Sequence, residues 1–300
     1  MKIIKLQGGL GNQMFIYAFG LALQKATSDT VLFDKRFFAE RKKREIGNTG
    51  LDGVGWSIRS YELDSFPDLH ISFATREQIK ELRYVYKPNF ITRLFKKPIP
   101  KQIITENKAC VYQADLLEEK GSVYYSGFFQ CEKYFSDIEP ELKKAFTFNI
   151  PETPRNLKMK NSILQAENAV SINIRRGDYL NLAEGTVCSL DYYQKAVDYI
   201  TSRVDNVSFF VFSDDEHWVR EHFTIGHPFQ YIHPEGIGGD LYYMTLCKHN
   251  VLANSSYSWW GGWLNSNPDK IVIAPDPWID GGDQICDSWI KLAKHDGTLL

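Results

Sequence analysis

The stretch Ser171–Leu180 reads SINIRRGDYL, an apolar run that ends in two adjacent arginines, Arg175 and Arg176, with Asp178 just behind them. A guanidinium stays charged at every physiological pH, and its planar fork of N–H donors matches phosphate or carboxylate oxygens. Two of them at the end of a buried strand suit a diphosphate. The competing reading is a structural ion-pair cluster of Arg175, Arg176 and Asp178, because such clusters imitate functional sites.

Three further stretches carry chemistry. In FVFSDDEHW (Phe210–Trp218) an apolar run delivers Asp214 and Asp215. A carboxylate there can accept hydrogen bonds from ribose hydroxyls or from the N1/N2 edge of guanine, ligate a metal, or cap a helix together with Ser213. No two aspartates in the chain are separated by a single residue, so the D-x-D pattern by which many sugar-nucleotide enzymes hold a divalent cation is absent. Phosphate neutralisation then falls to arginine. In ANSSYSWWGGWL (Ala253–Leu264), Ser255 and Ser256 open an amphipathic helix whose first N–H groups make an anion site. Trp259, Trp260 and Trp263 stand at helical spacing, which suits core or domain-contact packing better than sugar stacking. Near the N-terminus, GGLGNQMF places Gly9 and Gly11 as the first two glycines of a dinucleotide fingerprint but Met14 at the third, where it would obstruct helix–strand packing. No Gly-Lys-Ser/Thr follows, so it is no P-loop either. What remains is a tight turn presenting backbone N–H groups, with Asn12 and Gln13 as polar donors, set against a plain strand-to-helix turn.

These residues need elements to position them. KIIKLQ (Lys2–Gln7) reads as a strand, QMFIYAFGLALQKA as a helix and TVLFD (Thr30–Asp34) as the next strand, a β-α-β opening. Arg36–Ser60 lacks periodicity and reads as a long loop. VYYSGFFQ (Val123–Gln130) is a further strand, Pro140 should start a new helical segment, and NIPETPRN (Asn149–Asn156) reads as a linker. That linker divides the chain into 1–150 and 151–300. Five apolar runs follow it: Ala169–Ile174, Asn206–Ser213, Phe229–Ile232, His249–Ser255 and Lys270–Pro275. They alternate with helical stretches, the signature of a parallel sheet covered on both faces. The fold class is therefore α/β, with two Rossmann-like halves. Arg175, Arg176, Asp214, Asp215, Ser255 and Ser256 each follow one of these strands and can meet in one crevice at the sheet's carboxyl edge.

The bulk properties narrow the function. A formal net charge of -2 over 300 residues excludes a general nucleic-acid binder. The basic stretch Arg76–Lys101 allows a weak peripheral contact with an anionic membrane, but a solvated helix face is the favoured reading. Five cysteines without C-x-x-C spacing suggest neither a disulfide framework nor a zinc site. With no signal-like stretch and no apolar run of membrane-spanning length, a cytoplasmic protein is expected.

Taken in order, GGLGNQMFIYAFGLALQ, RRGDY, LDYYQKA (Leu190–Ala196), CKHNVLANSSYSWWGGWLN (Cys247–Asn265) and KIVIAPDPW (Lys270–Trp278) resemble the bacterial α-1,2-fucosyltransferases of glycosyltransferase family 11. The likeness runs over nearly the whole chain and is weakest from Arg36 to Lys120, where little beyond YELDSF (Tyr61–Phe66) matches. It implies a GT-B-like fold, two Rossmann-like domains facing across a cleft, with GDP-β-L-fucose in the C-terminal domain and a galactose-terminated glycan acceptor against the N-terminal one. It further implies inversion without a metal or other cofactor. The shared His-x-Arg-Arg motif, whose second arginine contacts the donor phosphates, makes Arg176 the main diphosphate ligand and Arg175 its support. The Gly-x-Gly-Asn-Gln turn maps onto Gly9, Gly11, Asn12 and Gln13, near the transferring sugar. The motif histidine is Asn173 here, which keeps some hydrogen bonding towards guanosine and loses the ring.

For the base that activates the acceptor hydroxyl, Asp178 lies beside the phosphate ligands, Glu184 lies in the following loop, and Asn12 can orient the hydroxyl. Three rivals stay open: another fucosyl linkage such as α-1,6, a non-catalytic glycan-binding protein, and a nicotinamide-dependent enzyme that the broken glycine fingerprint disfavours.

Overall fold

The computed structural model describes residues 1–39, 59–83, 103–106, 110–181, 187–278 and 282–300, with backbone alone at Arg83, Asp178 and Asn181. The chain opens with β1 (Lys2–Lys5), α1 (Leu10–Thr27) and β2 (Val31–Asp34). Next come α2 (Arg76–Arg83), β3 (Ile103–Thr105), β4 (Val123–Ser126), α3 (Glu139–Ala145) and α4 (Pro154–Gln165). The second half carries β5 (Asn168–Ile174), α5 (Leu190–Thr201), β6 (Val207–Ser213), α6 (Glu216–His222) and β7 (Phe229–Tyr231). It ends with α7 (Gly239–Leu246), β8 (His249–Val251), α8 (Ser256–Leu264), β9 (Val272–Asp276) and β10 (Ile290–Ala293).

The strands form two sheets, ordered β2-β1-β4-β3 and β10-β9-β8-β5-β6-β7, and every pairing in both is parallel. This is the expected GT-B-like pair of α/β domains. The second sheet reverses its strand order once, between β5 and β8, and in the first the two central strands are β1 and β4. Ligands of open parallel sheets bind at the carboxyl end of such a switch point, where the flanking loops part to opposite faces. The loops after β1 and β4, and those after β5 and β8, are therefore the places to look for function.

Local chemistry explains where the elements differ from expectation. α1 begins at Leu10 rather than Gln13, with Gly9 as its N-cap. Thr153 caps α4, its hydroxyl accepting from the Asn156 N–H at 3.2 Å, and Pro154 fills the first helical turn. Half of the expected linker is thus a helix start. Pro140 does open a helix, in the first turn of α3. β3 and β10 escape notice in the sequence because they are three and four residues long and carry no fully apolar run. The expected loop Arg36–Ser60 and the stretch Lys87–Lys101 lie mostly outside the described residues.

One apolar core joins the two halves. It runs from Ile4, Phe15 and Phe19 on the first domain through Trp259, Trp260 and Trp263 to Leu252 and Val272 on the second. Phe15 of α1 packs against Trp259 and Trp260 of α8 with ring centroids 4.6 and 4.9 Å apart. The tryptophans are packing residues at the domain contact, as their spacing indicates. Each sheet also has a smaller core on its outer face. Among the described residues no helix is long and apolar enough to cross a membrane.

Candidate functional site

The arginine pair is placed by strand register. β5 and β6 run in parallel with Ile174 opposite Ser213, so the next residues, Arg175 and Arg176, emerge beside Asp214 and Asp215. Arg175 Nη1 lies 2.7 Å from Asp214 Oδ2, and Arg176 Nε lies 3.2 Å from Asp215 Oδ2. Asp214 also accepts the Arg176 backbone N–H at 2.9 Å. Asp215 caps α6 by accepting the Trp218 N–H at 3.1 Å, and its own N–H donates to the Ser213 hydroxyl at 3.0 Å. Both aspartates are thus committed to holding the arginine turn: the helix-cap reading describes a real contact at Asp215, and the arginines are ion-paired to Asp214 and Asp215, whereas the Asp178 side chain of the expected cluster lies outside the described residues. Gly177 completes the turn, because a Cβ there would lie 2.3 Å from Asp214 Oδ2.

Adjacent in sequence, the two arginines part in space. Arg176 stacks on Trp218, its guanidinium carbon 3.8 Å from the ring centroid. Arg175 lies over the Tyr179 ring at 5.4 Å, and the Tyr179 hydroxyl donates to the Asn254 carbonyl at 3.1 Å just after β8. Through Tyr179, Arg175 is therefore the one on the side of the loop after β8. No side chain caps α8: Ser255 sits at its N-cap position, 7 % exposed, without a capping bond. Its leading N–H groups and the Ser256 hydroxyl are what the helix offers an anion. Asn173 is buried instead, 8 % exposed, with its amide directed at the Phe212 carbonyl at 3.5 Å.

The first domain closes the site through α1. Gly11 meets α8 backbone to backbone: a Cβ there would lie 2.5 Å from the Tyr257 nitrogen and 2.6 Å from the Ser256 carbonyl carbon, while Trp260 Nε1 donates to the Gly11 carbonyl at 3.0 Å. Gly11 is thus a domain-contact residue. Gly9 has ordinary φ and room for a Cβ against Arg59 at 3.6 Å, whereas Gly8, at φ 79, requires the left-handed region. Gln13 is fully buried, and its amide is used internally. Nε2 donates to the Gly8 and Ser60 carbonyls at 3.0 and 2.8 Å, and Oε1 accepts the Glu62 N–H at 3.0 Å. It cannot serve as the expected ligand donor. Asn12 Oδ1 accepts from Gln130 Nε2 at 2.6 Å, a bond that joins the loops after the two central strands of the first sheet, β1 and β4.

Two carboxyl groups here were not anticipated from sequence. Asp240, in the first turn of α7, is half-buried and has no cationic partner among the described residues. Burial, with Asp214 nearby, pushes its pKa up to about 7. Glu62 is also half-buried, and burial raises its pKa against the opposing pull of Arg59, Ser60 and the Leu10 N–H. Asp240 lies in none of the stretches matched above, and Glu62 lies in YELDSF, whose match carries no chemical role, so only their surroundings single them out. The Asp178 side chain and all of Glu184 lie outside the described residues. Among those described, no group of three or more His, Cys, Asp or Glu side chains is placed to hold a metal ion. All five cysteines are buried and unpaired, and burial pushes the Cys188 thiol up to about 11.

A glycosyl transferase family 11 model matches residues 114–287. The chain is 30% identical to an alpha-1,2-colitosyltransferase of Escherichia coli over 97% of its own length and 99% of that protein's. It is 31% identical to the Escherichia coli O-antigen biosynthesis glycosyltransferase WbnK, over 96% and 99%. A galactoside 2-alpha-L-fucosyltransferase of Caenorhabditis elegans is 30% identical over 48% of this chain and 43% of that one.

Proposed function

Since the chain belongs to glycosyl transferase family 11, we propose that it transfers L-fucose from GDP-β-L-fucose to the 2-hydroxyl of a terminal β-galactose, in an oligosaccharide or surface polysaccharide, with inversion and without a metal. The observation that supports this reading is that the arginine pair after β5 and the uncapped start of α8 after β8 leave adjacent parallel strands at one edge of the sheet. Cationic and N–H groups at such a switch point suit a diphosphate. In the reaction the galactose hydroxyl attacks the anomeric carbon in line while the bond to the β-phosphate breaks. Negative charge grows on the departing GDP, and fixed guanidinium and N–H groups stabilise that growth more than they stabilise the ground state. Asp214 and Asp215 orient the arginines. Asp240 is the carboxyl we assign to the nucleoside, because it lies beside the arginine loop with no cation of its own. Asn12, held by Gln130, faces the acceptor side.

A second donor reading, a GDP-linked colitose, draws support from the name of the Escherichia coli relative. Colitose is fucose without its 3-hydroxyl, so both donors share the diphosphate and nucleoside contacts. The test is incubation in EDTA with lactose and either GDP-sugar, followed by GDP release and product linkage analysis. A 2'-fucosyl product supports donor, linkage and metal independence together. Transfer from GDP-colitose alone replaces the donor, and tight GDP binding without turnover replaces the acceptor.

A further inference from the structure

We infer that Glu62 is the catalytic base of the transfer reaction proposed above, taking the proton from the attacking acceptor hydroxyl. Among the carboxylates at or after the strand ends of the first domain, two are committed to other partners. Asp34, 2 % exposed, is consumed by Arg36 at 2.8 and 2.9 Å and by the Tyr124 hydroxyl at 2.8 Å. Glu106 is consumed by the backbone, accepting the Phe128 N–H at 2.7 Å and the Cys110 N–H at 3.2 Å. Glu62 differs from both. Its carboxylate accepts from the Ser60 hydroxyl at 3.3 Å, and its backbone N–H is held by Gln13 of α1 at 3.0 Å, with the Leu10 N–H of the first turn of α1 near enough to favour the ionised form. Leu10 adjoins Gly11, the residue that touches the uncapped first turn of α8. A carboxylate of the acceptor-side domain thus stands next to the place where the donor phosphates are expected.

Its position is set by the core rather than by its loop. The buried Gln13 amide grips the chain on both sides, at the Ser60 carbonyl and at the Glu62 N–H. The charged and titratable groups that face it are Arg59 on its own segment and Tyr257 on α8, with Arg175 and Asp240 beyond that ring. Burial raises its pKa, and a more basic carboxylate is the stronger proton acceptor. As the oxygen–carbon bond forms, the hydroxyl proton passes to Glu62. The anomeric C–O bond breaks with its electron pair going to GDP, and protonated Glu62 then returns the proton to water.

The test compares wild type, Glu62→Gln and Glu62→Asp for GDP affinity by calorimetry and for transfer to lactose between about pH 5 and 9. Glu62→Gln should keep GDP affinity within about twofold, lose about 100-fold or more in kcat, and lose the acid limb of the kcat profile, with Glu62→Asp recovering part of the rate. An unchanged kcat with the same acid limb overturns the role of Glu62 alone. A parallel loss of GDP binding and melting temperature in Glu62→Gln also overturns it, in favour of a structural part. A wild type that binds no GDP and turns over no GDP-sugar overturns the donor reading and this inference with it.

Discussion

At the scale of single residues, Arg175 and Arg176 show how strand geometry divides identical side chains. Successive residues leaving a strand point to opposite sides, so Arg175 turns to Tyr179 and the loop after β8 while Arg176 turns to Trp218. A hydrogen bond to a charged group contributes about 1.5–3 kcal/mol. Arg175→Ala should therefore weaken GDP binding by at least about tenfold, and Arg175→Lys by less, because the charge survives and the fork does not. Calorimetric titration with GDP in EDTA reads both. Asp240 gives a pH signature. Its carboxyl titrates at about 7 in the fold and near the ordinary carboxylate value when unfolded, so the folded chain holds the extra proton between those limits. Apoprotein stability from this group is full below about pH 4 and declines as pH rises to about 7. GDP affinity should rise over the same window if the ionised carboxylate accepts from the base. Asp240→Asn should flatten both curves, as denaturant melts and titrations across pH will register.

At the scale of elements, the contact between α1 and α8 decides the site. Three glycines in the GGLGN turn look equivalent in sequence and differ in space. Gly8 needs its left-handed φ, Gly11 needs the absence of a Cβ against α8, and Gly9 needs neither. Gly11→Ala forces the helix ends apart, and overpacking of that kind costs about 1–3 kcal/mol. Its melting temperature and turnover should both fall, while Gly9→Ala should stay near wild type in melting temperature. Thermal scans and one transfer assay separate the two. The strands that were legible had long apolar runs; β3 and β10 had none, and Thr153–Pro154 looked like a linker because a helix start and a loop use the same residues.

At the scale of the molecule, the two sheets share a core, and side chains lock it at its edges. The Tyr112 N–H donates to Asp283 Oδ2 at 2.8 Å, and Trp263 Nε1 donates to Glu132 at 3.3 Å, each across the two halves. A shared core unfolds as one unit. A calorimetric scan should therefore show a single transition, with equal van't Hoff and calorimetric enthalpies. GDP at about one hundred times its Kd should raise the stability of that whole transition by about 2.7 kcal/mol. Two separable transitions, with only one moved by GDP, would count against this account.

Apolar period, glycine and proline placement, and the charges at strand ends were enough to determine, from sequence, a parallel α/β chain with Arg175, Arg176, Asp214, Asp215, Ser255 and Ser256 at one sheet edge. Those signals are local, and each strand declares its own end. What only the tertiary structure decided was pairing and direction: Asp214 and Asp215 committed to the arginines, Arg175 turned towards Tyr179 and the loop after β8, Gln13 withdrawn into the core, Glu62 held by α1, and Asp240 desolvated near Asp214. A carboxylate becomes chemically distinctive through desolvation and the charges around it, and residues distant in the chain supply both.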